Sequence, residues 1–118
     1  MNDEQYKRFR KMNADKLKCL FTKRDPSGNM HFLVSGSTGT RYKVSVYKNG
    51  VINCSCPDFC HGCKDNDCVC KHCLHVIYKV LKLFRDVNHK FFERLYFTPD
   101  EIQTIKKIYK ELKINLKR

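Results

Sequence analysis

The stretch Cys54-Ser-Cys-Pro-Asp-Phe-Cys-His-Gly-Cys-Lys-Asp-Asn-Asp-Cys-Val-Cys-Lys-His-Cys-Leu-His-Val-Ile-Tyr-Lys-Val-Leu81 carries seven of the chain's eight cysteines and three of its five histidines. The flanks are mostly lysine-rich with helical patterning, so this concentration reads first as a metal site. Two ligand pairs follow from geometry. Cys54 and Cys56 end a segment of strand character, and side chains at i and i+2 of a strand leave the same face, so both thiolates converge on one ion. Pro57 cannot extend a sheet and marks where the strand turns away. Cys70 and His72 stand directly before an apolar run of helical period, at a helix mouth whose free N–H groups and positive dipole end favour a thiolate.

Another Cys-x-His pair, Cys73 and His75, competes with Cys70 and His72. Inside a helix those two lie about 200° apart around the axis and cannot grip one ion. Cys73 instead opens the stripe Cys73, Ile77, Val80, Leu81, Phe84, a core pattern, while His75 falls with Lys71, Lys79 and Lys82 on a basic, solvated face. The expected ligands are therefore Cys54, Cys56, Cys70 and His72. Three thiolates and one imidazole form the closed tetrahedral set of structural zinc.

The spacer between the pairs adds Cys60, His61, Cys63 and Cys68. Cys60 and Cys63 have the gap of a zinc knuckle, Cys68 is a candidate third ligand, and Cys73, His61 or His75 a candidate fourth. The alternatives are a reduced loop with no second ion, or exchange of Cys68 for Cys70 in the first set.

Cys-x-Cys, a variable spacer, then Cys-x-His at a helix start resembles the SWIM-type zinc finger. Cys54-Ser-Cys-Pro-Asp-Phe59 is similar to the first half of that pattern and Cys70-Lys-His-Cys-Leu-His-Val-Ile77 to the second. Phe32-Leu-Val-Ser-Gly-Ser37 and Tyr42-Lys-Val-Ser-Val46 are similar to its leading strands, so the resemblance covers residues 31–85. It implies a zinc-binding interaction module that mediates protein contacts. SWIM fingers accompany a RING domain in some ubiquitin ligases and a nuclease in Mutator-like transposases. The hairpin over residues 36–46 and the helix start Thr98-Pro-Asp-Glu101 look more like the RING-associated group, which implies an adaptor or substrate-binding part of a ligase-like assembly. Only Cys19 lies outside the finger, too few cysteines for a RING, and no acidic nuclease triad is evident.

In chain order, residues 3–22 can be written as a helix with Tyr6, Phe9, Leu17 and Leu20 on one side, and Asp25-Pro-Ser-Gly28 is a turn. From Met30 the period becomes two: Phe32 and Val34, a turn over residues 35–40, then Tyr42, Val44 and Val46. Asn49-Gly50 predicts a tight hairpin with positive φ at both positions, and a third strand from Val51 to Cys54 delivers the first ligands. A helix is expected from Cys70 to Arg85, then a break at Asp86-Val-Asn-His89, and Phe91, Phe92, Leu95, Tyr96 and Phe97 as an extension of the core. Thr98 as N-cap, Pro99 at the first position and Glu101 completing a capping box start an amphipathic helix expected to reach residue 115, with Ile102, Ile105, Tyr109, Leu112 and Leu116 on one face and Lys106, Lys107, Lys110 and Lys113 off it. The fold class is thus a small α+β zinc-binding domain, an antiparallel β-meander followed by a helix (ββα-like), with helical N- and C-terminal arms. Its parts are a basic helical lead-in (1–30), the finger (31–85) and an amphipathic helical extension (86–118).

At 118 residues the chain is short of the size at which one core is comfortably self-sufficient. A structural zinc site supplies about 10–16 kcal/mol of apparent binding free energy, as much as or more than a domain's net stability, so metal is expected to be a condition of folding. The formal charge of +12 sits in the arms: residues 1–24 hold eight Lys or Arg against three acids, and residues 79–118 hold eleven against five. Such arms favour anionic partners, nucleic acid such as DNA or an acidic protein surface, although no platform of aromatics and arginines for single strands and no base-reading helix is legible. The thiolates are committed to metal, and no Ser-His-Asp set, phosphate-cradling glycine loop or carboxylate pair is evident, so neither catalysis nor a small-molecule substrate is expected. The N-terminal residues hold no apolar stretch for a signal peptide and no segment is long enough to span a membrane. Free metal-binding thiols rather than a secreted disulfide framework are therefore expected, in a reducing compartment, cytoplasm or nucleus.

Overall fold

The period-two alternation from Met30 onward builds a four-stranded antiparallel sheet in a computed structural model that describes residues 1–36 and 38–112. Strands β1 (Lys18–Arg24), β2 (Met30–Ser35), β3 (Arg41–Val46) and β4 (Ile52–Cys54) pair in chain order, with Phe32 opposite Val44, Val34 opposite Tyr42 and Val44 opposite Cys54. Met30, Phe32, Val34, Val44, Val46, Ile52 and Cys54 are all buried on one face of the sheet. β2 and β4 bury strictly alternate residues, as a half-buried antiparallel sheet does.

The helical elements are α1 (Asp3–Ala14), α2 (residues 58–66, π-helical Asp58–Cys63 passing into α-helical Lys64–Asn66), α3 (residues 71–80, α-helical Lys71–Leu74 passing into π-helical His75–Val80), α4 (Phe91–Arg94) and α5 (Pro99–Glu111). α3 lies against β3, β4 and α1. α5 buries Ile102 and Ile105 and sets Tyr109 edge-on to Phe32, ring centroids 5.9 Å apart. Its start is the expected capping box: Glu101 N–H donates to Thr98 Oγ1, and Thr98 N–H donates back to Glu101 Oε1. The part of that helix expected over Lys113 and Leu116 lies outside the described residues, as does Ser37 in the turn after β2.

The lead-in departs from the single helix expected over residues 3–22. The helix ends at Ala14, Asp15 is extended, and Lys18–Arg24 forms the edge strand of the sheet. A bulge explains why its period was hidden. Cys19 opposes Val34 and Phe21 opposes Leu33, leaving Leu20 as the extra residue that breaks the alternation.

The hairpin at Asn49-Gly50 also differs. Only Gly50 has a positive φ, at 98°, and the bonds Gly50 N–H to Tyr47 O and Tyr47 N–H to Val51 O make a type I turn closed by a glycine bulge instead of the two-residue turn. Glycine is required there twice over, because a Cβ on Gly50 would lie 2.2 Å from the Phe97 carbonyl oxygen. That close approach docks the C-terminal segment: Phe97 N–H donates to Gly50 O, and Val51 bridges Tyr96.

The helix expected to reach Arg85 stops at Val80, where Lys82 adopts a left-handed φ of 50° and Leu83 N–H returns to the Ile77 carbonyl. Beyond it Phe84, Phe91 and Phe97 pack together, with Phe91–Phe97 centroids 4.7 Å apart. Phe9 of α1 joins this aromatic layer through Tyr78 and Phe92. Of the five residues expected to extend the core, Phe91 and Phe97 are buried in it and Phe92 and Leu95 pack against it, whereas Tyr96 is 50 % exposed; α1 is part of the same core. No described helix is long and apolar enough to cross a membrane.

Candidate metal centre

Cys54 closes β4, Cys56 follows two residues on, Cys70 is the N-cap of α3, and His72 sits in the first turn of that helix. Their ligand atoms all lie within 4.8 Å of one another, and all four residues are buried. Among the described residues this is the one group of three or more His, Cys, Asp or Glu side chains so arranged. The strand and the helix mouth bring the two pairs together as their spacing predicts: Cys70 keeps an extended backbone at ψ 170°, so its thiol is not yet carried around the helix axis.

The local chemistry fits a soft cation. Cys56 pushes the Cys54 thiol up, and burial adds to it. Cys54 holds Cys56 down, but Cys70 and burial outweigh it and leave Cys56 pushed up to about 12. Both shifts disfavour the thiolate forms of Cys54 and Cys56, and a cation held between the sulfurs would favour them. Phe59 N–H donates to Cys56 Sγ at 3.3 Å, a backbone bond that suits a thiolate. His72 turns Nδ1 to Cys70 Sγ at 3.8 Å, while its buried Nε2 has no hydrogen-bond partner among the described residues. The Tyr42 ring covers the imidazole, centroids 4.9 Å apart.

Cys73 is fully buried, as a core residue should be, but its sulfur also lies 3.7 Å from that of Cys70. It therefore belongs beside the first cluster. The other cysteines proposed for a second ion do not converge with it. Cys60 points its thiol at the Cys54 carbonyl oxygen at 3.7 Å, and Cys63 lies by Asp58 Oδ2 at 3.8 Å, with Cys68 beside it. Burial pushes both Cys63 and Cys68 up. His61 is exposed, and His75 is half-buried instead of solvated, its imidazole pushed down to about 4 by burial.

Two residues of α1 support the centre, and spacing gives no sign of either. Gln5, 1 % exposed, pairs with the backbone of Val69 in both directions: its Nε2 donates to Val69 O and its Oε1 accepts from Val69 N–H, each at 2.8 Å. The amide thus stands in for a peptide group and fixes the residue just before Cys70. Arg8 grips Asp58 with two bonds, Nε to Oδ2 at 2.9 Å and Nη2 to Oδ1 at 2.8 Å, and so ties α1 to the spacer. That guanidinium holds the Asp58 carboxyl below the usual carboxylate range.

The structure also assembles a set that the sequence does not display: Ser45 Oγ lies 2.7 Å from His31 Nδ1, and His31 Nε2 lies 3.0 Å from Asp25 Oδ2. Ser45 is 1 % exposed and so offers no accessible nucleophile; the set acts as a strut between β3, β2 and the turn before it. Hydrogen bonding to His31 holds the Asp25 carboxyl down at about 2. Comparison of the chain with family models, curated proteins and solved structures finds no match.

Proposed function

We propose that Cys54, Cys56, Cys70 and His72 hold one zinc ion and that the protein is a SWIM-type interaction module whose fold depends on it. The observation that carries this reading is the convergence of three buried thiols and one imidazole, drawn from a strand end and a helix mouth. Thiolate and imidazole donors select zinc over hard cations, and four protein ligands with no place kept for water are the mark of a structural site. Zinc bound there supplies the positive charge that lets the clustered thiols ionise and cross-links the sheet to α3. In this reading β3, β4 and α3 are the ββα unit of the finger. The residues around it do the positioning: Gln5 holds Val69, Phe59 N–H meets Cys56, and Tyr42 packs on His72. A role as adaptor in a ligase-like assembly rests on the SWIM resemblance alone.

Removal of metal by a chelator is expected to collapse the near-ultraviolet circular dichroism, because Tyr42 and the aromatic layer around Phe84 lose their fixed surroundings. An unchanged spectrum in a sample verified to be metal-free contradicts a metal-dependent fold.

A further inference from the structure

The sheet has a second face. Alternation places Lys18, Phe21 and Lys23 of β1, His31, Leu33 and Ser35 of β2, and Arg41 and Lys43 of β3 opposite the buried set, with Phe21 beside Leu33, Leu33 beside Lys43 and Ser35 beside Arg41. Phe21 is 42 % exposed, and Lys18, Lys23, Arg41 and Lys43 are exposed on the same face. A groove of about 290 Å³ runs over this face, bounded by Phe21, Leu33, Lys23 and Lys43. The bulge at Leu20 sets the arrangement: the extra residue lets Cys19 stay opposite core Val34 while Lys18 turns outward beside Ser35.

Lys23 and Lys43 therefore flank one exposed aromatic ring in the groove, and Lys18 and Arg41 extend the cationic face one register step further along the sheet, on either side of Ser35. One carboxylate, Asp25, lines the same groove and is hydrogen-bonded to His31, so the four cations of the face outnumber it. An acidic protein segment would satisfy the cations but supplies a planar face only where it carries an aromatic side chain. An unpaired nucleotide chain meets both needs, since each repeat carries one phosphate and one π-face, and aromatic stacking with surrounding Lys and Arg is how sequence-tolerant single-strand binding is built. We propose that the outer face of β1, β2 and β3 binds single-stranded nucleic acid, with a base stacked on Phe21 and phosphates met by Lys18, Lys23, Arg41 and Lys43. The surface is separate from the metal ligands and is independent of which ion they hold.

The test is fluorescence anisotropy of a labelled oligothymidylate of about twelve nucleotides, titrated with the full metal-loaded chain at about 50 mM salt. Phe21→Ala and Phe21→Leu are each expected to weaken binding about tenfold or more, and Phe21→Trp to preserve it, because leucine keeps apolar area without a stacking face. Lys23→Glu with Lys43→Glu is expected to weaken binding further and to flatten its salt dependence. Arg10→Glu with Lys11→Glu, exposed on α1, is the control for charge placed elsewhere and should change affinity much less. Far-ultraviolet circular dichroism of every variant confirms that each is folded. The proposal is overturned if the oligonucleotide does not bind, if Phe21→Leu binds like the wild type, if the α1 control loses as much as the sheet variant, or if a duplex of the same length binds as tightly as the single strand. It is also overturned if only an acidic peptide competes for this face.

Discussion

Gln5 has no charge and no metal chemistry, yet its amide is the contact that fixes the backbone next to Cys70. Gln5→Ala leaves the Val69 N–H and C=O without their protein partners and is expected to cost about 1–3 kcal/mol in chemical denaturation. It should also lower zinc affinity in a chelator competition, and an affinity equal to the wild type would assign Gln5 a purely structural role. Gln5→Glu should behave similarly, because a carboxylate cannot donate to the Val69 carbonyl. The four residues of the buried cluster were legible as a group, since two-residue spacing on a strand and at a helix mouth has a geometric consequence. Gln5 was not, because its partner is 64 positions away and nothing local in α1 marks a buried glutamine. Cys73 was only half legible: the helical stripe predicts its burial, but not that its thiol would lie beside Cys70.

At the scale of elements, the turns set where the strands and the C-terminal segment meet. Gly50→Ala must hold a positive φ and move the Phe97 carbonyl, so it is expected to destabilise by about 1–3 kcal/mol from backbone strain alone, read as a lower unfolding midpoint. A change within a few tenths of a kcal/mol would show that the docking of the C-terminal segment at Gly50 is loose. The α1-to-spacer tie is testable through pH. Arg8 depresses the Asp58 carboxyl in the folded protein, so its contribution is present above the ordinary carboxylate range near 4 and is lost as pH falls below it. Asp58→Asn should therefore be less stable than the wild type at neutral pH, and the gap should close on acidification; a gap that is independent of pH contradicts the pairing. Strands β2 to β4 were readable from alternation and turn residues. Strand β1 was not, because a bulge breaks the alternation and the lysines around it mimic a helical face. The end of α3 was also unreadable, since a π-helical finish and a left-handed lysine leave no Gly or Pro in the sequence.

Over the whole molecule, the lead-in and the C-terminal segment are not arms around a self-contained finger. α1 reaches the spacer and the aromatic layer, β1 completes the sheet, and the segment carrying Phe91 and Phe97 fills the core behind β4. The charge distribution read from the sequence suggested basic flanks, whereas the folded chain gathers cations from β1 and β3 onto one face of the sheet. A zinc ion at the junction of sheet and α3 is what this account makes central. Native mass spectrometry of freshly purified, reduced protein tests it directly, with Cys54→Ser, Cys56→Ser, Cys70→Ser, His72→Ala and Cys73→Ser measured beside the wild type. The account predicts one zinc, lost in the first four variants and retained in Cys73→Ser. Two zinc ions, retention in any of the four ligand variants, or a metal-free protein with disulfide masses would contradict it.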